Sequence, residues 1–62
     1  MTIVLKSATS GYFLELACST ENTLDFLRRQ GVRPQKTDDD EYLCVVEDPY
    51  VVRTEIQKAQ AR

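Results

Sequence analysis

A helix stop sits in the middle of this chain, and it limits what the chain can become more than any other feature. Gly31-Val32-Arg33-Pro34 follows a run of helix formers and cuts the 62 residues in two. Gly31 stands just past a helix end, where a left-handed backbone is needed and glycine takes it without steric cost. Val32 is then placed to fold back on Leu27, and Pro34 prevents the helix from resuming. Arg28 and Arg29 fall in the last turn, where the helix dipole favours cations. Leu24, Phe26 and Leu27 supply the buried stripe. Ser19–Asn22 holds several N-cap candidates, and Asn22 with Asp25 three residues on gives a capping pair.

Short β-forming runs flank this helix. Thr2–Lys6 is rich in β-branched and apolar residues, Ser7–Gly11 is turn chemistry, and Tyr12–Cys18 alternates in part. The two runs read as an antiparallel hairpin closed by a four- or five-residue loop. After the helix, Thr37–Glu41 reads as a polar loop and Tyr42–Val46 as a strand. Asp48-Pro49 reads as an N-cap followed by proline at the first helical position. A second helix would carry Val52, Ile56 and Ala59 on one face. The stretch Tyr50–Ile56 is also β-branched and alternating, so a fourth strand is the rival reading.

The expected architecture is a single small α+β domain over residues 1–62, ordered β-β-α-β-α. Three antiparallel strands carry two helices on one face, with the C-terminal segment as the alternative fourth strand. A crossover through the first helix would lay the third strand beside the first. Such a sheet has two open edges, and open edges invite pairing with another chain.

Several chemistries lack their residues. There is no histidine, and the two cysteines, Cys18 and Cys44, each lie in an apolar run with no metal-ligand spacing. A secreted disulfide scaffold of this size usually carries four or more. The pattern therefore points to buried, reduced thiols, with a Cys18–Cys44 bridge as the minority reading. Cys18 just before the first helix is the one feature favouring a reactive thiol. The only glycines are Gly11 and Gly31, so no phosphate-cradling loop exists. No catalytic, cofactor-binding or metal residues are expected. The N-terminal run is too short for a signal peptide and no stretch approaches membrane-spanning length, so the expected location is cytoplasmic.

Charge is sorted rather than mixed. Residues 1–20 are neutral, 21–36 carry +2, 37–48 carry −6 and 49–62 carry +2. Sorted charge serves recognition by another macromolecule. Arg28, Arg29 and Arg33 form one expected contact patch, and Asp38, Asp39 and Asp40 the other. Tyr42 and Tyr50 are expected to be partly exposed, as interface tyrosines often are. The expected function is a small non-enzymatic regulatory or adaptor protein. Its expected partners are another protein and itself, as a homodimer, with no small-molecule substrate. A nucleic-acid binder of the winged-helix or excisionase sort is the alternative. It is disfavoured by a pI near 4.9 and by Glu21 and Asp25 at the helix start.

Overall fold

Alternating side chains in the first strand set the inner face of a sheet. The computed structural model describes residues 1–16 and 20–60. Strand β1 (Thr2–Ser7) buries Ile3, Leu5 and Ser7 and turns Val4 and Lys6 to the other face. It pairs antiparallel with β2 (Phe13–Leu16), as expected, in a register that sets Leu5 against Leu14 and Ile3 against Leu16. The connecting loop is organised by Ser7, whose Oγ accepts the N–H groups of Thr9 (3.3 Å) and Ser10 (3.2 Å). Gly11 completes the turn at φ 80°.

Helix α1 (Glu21–Arg29) begins two residues earlier than the Asn22 cap would place it, within the Ser19–Asn22 candidates. Thr20 is the cap residue, and its carbonyl accepts from Thr23 and Leu24. The stop is as read. Gly31 lies at φ 85°, its N–H donates to the Arg28 carbonyl (3.1 Å), and the Val32 N–H donates to the Leu27 carbonyl (3.0 Å). These two bonds make a complete Schellman close.

The second half departs from expectation at one element. Of the expected Thr37–Glu41 loop only the Asp39–Asp40 turn remains: Thr37 and Asp38 belong to a strand, β3 (Gln35–Asp38), which pairs antiparallel with β4 (Glu41–Val46). Polar side chains hid it: all four of its residues are exposed, so burial leaves no trace in its sequence. The fourth strand is therefore β3, and the rival strand at Tyr50–Ile56 is instead part of helix α2 (Pro49–Gln60). Asp48 caps α2 as expected, accepting the N–H groups of Tyr50 (3.0 Å) and Val51 (3.4 Å).

The sheet order is β2-β1-β4-β3. β4 lies beside β1 as the crossover argument requires, but parallel to it, so the sheet is mixed rather than antiparallel. The α1 connection returns the chain in the direction of β2 as the far-edge strand β3, and the unforeseen β3–β4 hairpin then reverses it, which sets β4 parallel to β1. Both helices cover one face. Ile3, Leu5, Cys44 and Val46 from the sheet pack with Leu24 and Leu27 of α1 and Ile56 of α2. Gln60 Nε2 donates to Thr23 Oγ1 (3.0 Å), joining the end of α2 to the start of α1. Ala59, expected on the buried face of α2, is exposed. Cys44 is a free thiol at the centre of the core, and burial pushes it up to about 11. Cys18, with its bridge and reactive-thiol readings, lies outside the described residues. No helix among the described residues is long and apolar enough to cross a membrane.

Candidate functional site

The hydrogen-bond direction of β4 creates an unfinished edge. Alternate residues of a strand turn their backbone groups to opposite sides. The Asp40 carbonyl accepts from Thr2 (2.8 Å) and the Val46 carbonyl from Ala8 (2.8 Å), so the even-numbered residues of β4 face β1. Val45 therefore turns its N–H and C=O the other way, towards the β3 side. Pairing with β3 ends at Gln35 and Leu43. Val45 is left on a bare stretch of edge.

Beside that stretch is a groove of about 890 Å³. Leu27 and Val32 from the end of α1, Val46 from β4, and Val51 and Val52 from the first turns of α2 form its apolar walls. The Schellman close positions Val32, and the Asp48 cap positions Val51, so two local backbone devices shape one concavity. Val45 and Val51, which both line the groove, are 55% and 53% exposed. The charged rim is Arg33 against Glu47, Asp48 and Glu55, which makes the groove acidic.

A second cluster adjoins the far side of Asp48. The Tyr12 and Tyr50 rings lie 5.8 Å apart, and the Arg53 guanidinium carbon sits 5.1 Å from the Tyr50 ring centre. Partial desolvation, then the neighbouring Asp48 carboxylate, raises the Tyr12 hydroxyl above its ordinary pKa. The Tyr12–Tyr50 contact thus joins the end of the hairpin loop to the start of α2.

The expected site residues disperse. Arg28 pairs with Asp25 on its own helix (3.0 Å), and Arg29 is exposed in the same turn. Of the three arginines only Arg33 reaches the groove. Asp38 accepts the Asp39 N–H (2.9 Å), and Asp40 meets the amino terminus at Met1 (3.1 Å). The acidic turn and Arg33 lie at opposite ends of β4, roughly 16 Å apart at the usual strand rise. The two patches are therefore not one bipolar surface. Tyr50 is 52% exposed and Tyr42 is half-buried against the core, so each is partly exposed as expected. Sequence reasoning missed Val45 and Val51 as groove residues and read Val32 only as part of the helix stop, since no local pattern brings the three together. Among the described residues no group of three or more acidic or thiol side chains could hold a metal ion. Scans against protein-family models, curated proteins and solved structures found no match to this chain.

Proposed function

We propose that this chain is a non-enzymatic regulatory or adaptor module of the cytoplasm, which binds a short extended segment of a partner protein in the groove beside β4. The observation that carries the reading is the unpaired Val45 backbone set against apolar walls. An incoming strand gains main-chain hydrogen bonds there, and its alternate side chains enter the groove. The rim favours a segment with cationic flanks, since Glu47, Asp48 and Glu55 outnumber Arg33. Those same acids work against a nucleic-acid ligand, whose phosphates they would repel. A free, buried thiol accords with a reducing compartment.

A random peptide library displayed against the intact protein tests this. Enriched peptides should alternate apolar residues and carry Lys or Arg. Calorimetry on one of them should show V51E weakening binding about tenfold or more, while E47K shifts preference towards acidic flanks. Peptides that bind V51E and wild type equally would remove the groove from the account.

A further inference from the structure

The opposite side of the sheet carries a second bare edge, and its pattern is self-complementary. The Ser7 N–H donates to the Tyr12 carbonyl (2.8 Å), so Ser7 and Tyr12 turn these backbone groups towards each other. Continuing the register, Leu14 and Leu16 also face β1. Phe13 and Glu15 therefore direct their N–H and C=O groups outward. Phe13 is 58% exposed and Tyr12 39%. The strand reads Phe-Leu-Glu-Leu, with no proline, bulge or lysine to discourage pairing.

We infer that β2 pairs antiparallel with β2 of a second copy about a two-fold axis through Leu14, making one eight-stranded sheet. Within β2 only Phe13 and Glu15 present outward backbone groups, so three two-fold registers can be drawn. Centring on Glu15 sets two carboxylates face to face, and centring on Phe13 leaves Glu15 beyond the paired stretch. Centring on Leu14 matches Phe13 with the second copy's Glu15 twice, forming four backbone hydrogen bonds. It also sets Leu14 against Leu14 on the helix-covered face, which extends both cores. On the open face Phe13 then lies between Lys6, its neighbour on β1, and the second copy's Glu15. Charge permits the approach. Residues 1–20 carry one lysine and one glutamate, so the hairpin is the neutral part of an otherwise charge-sorted chain. A two-fold contact closes on itself and yields a dimer rather than a fibre. The β4 groove lies across the sheet and stays open in this dimer.

Charge substitution at Phe13 reads the register. Light scattering and sedimentation should find wild type dimeric at tens of micromolar. F13E places two glutamates opposite two others and should raise the dissociation constant about tenfold or more. F13K meets those glutamates with opposite charge and should keep the dimer, and F13E with E15K should restore it. Circular dichroism on each variant checks that the exposed substitution leaves the fold intact. L14C, in a Cys18→Ser background, should oxidise to a covalent dimer, because facing residues at the axis have disulfide-compatible spacing. E15C should not. A monomeric wild type at millimolar concentration overturns the inference. So does equal disruption by F13K and F13E, or failure of L14C to cross-link.

Discussion

The two outer strands of this sheet are built on opposite principles. β3 is Gln-Lys-Thr-Asp, exposed at every position, preceded by Pro34 and interrupted by a register shift between Lys36 and Asp38. Each of those features discourages another strand from adding on. β2 has none of them and shows an aromatic and two leucines around a single glutamate. The same chain thus guards one edge and leaves the other bare. On the guarded side the only opening is where β3 stops short, at Val45, and there a groove has formed. A small protein with little volume for a cleft can still present backbone hydrogen-bonding groups, and this one does so at two separate places.

The contrast depends on a sheet held from one face, so the severest test is to loosen that face. Leu5 is fully buried in the strand next to β2. L5A should cost about 2–5 kcal/mol in chemical denaturation, enough to unfold much of so small a domain and abolish both openings together. A loss near zero would mean the core does not hold the edges.

Cys44 probes the same core by pH. The native thiol has its pKa pushed up to about 11 by burial, against 9.0 ordinarily. The folded state holds this proton more tightly than the unfolded chain. Its contribution is complete below pH 9 and is lost as pH rises from 9 towards 11, by roughly 2–3 kcal/mol. C44A should flatten that part of the stability profile, and an unchanged profile would contradict the assignment.

Asp48 sharpens the comparison at the groove. D48A removes the acceptor for Tyr50 and Val51 and should cost about 1 kcal/mol in thermal unfolding. It should weaken peptide binding at Val51 and leave self-association through β2 unaltered. Equal damage to both would show that the two openings are not separate.

The smallest effect on stability comes from stripping the guard. K36V with D38V alters exposed positions, so stability should move by about 0.5 kcal/mol or less. Assembly should change instead, with light scattering reporting species larger than a dimer. Persistence of the dimer alone would mean that the bulge and Pro34, not the charges, protect β3.

How much of this was legible in the sequence depends on whether the signal is local. The α1 stop at Gly31 and Val32, the Asp48 cap and the Ser7–Gly11 turn each act within a few residues, and each stands where it was read. The β3 strand was not legible, because Gln35–Asp38 buries nothing and gains its form from pairing with β4. The parallel pairing of β1 and β4 was equally hidden, since a strand's composition does not record its neighbour's direction. The Arg28, Arg29 and Arg33 cluster is contiguous in sequence yet split in space, because Arg28 and Arg29 lie on a helix and Arg33 beyond its end. The groove joins parts from positions 27 to 55, and no local pattern announces that.

Residue-resolved amide hydrogen exchange, followed by NMR on dilute and concentrated samples, tests the bare-edge account most directly. Phe13 and Glu15 should exchange quickly when dilute and become protected when concentrated, with Val45 unchanged until a groove-binding peptide is added. Exchange at Phe13 and Glu15 that is the same at both concentrations would contradict it.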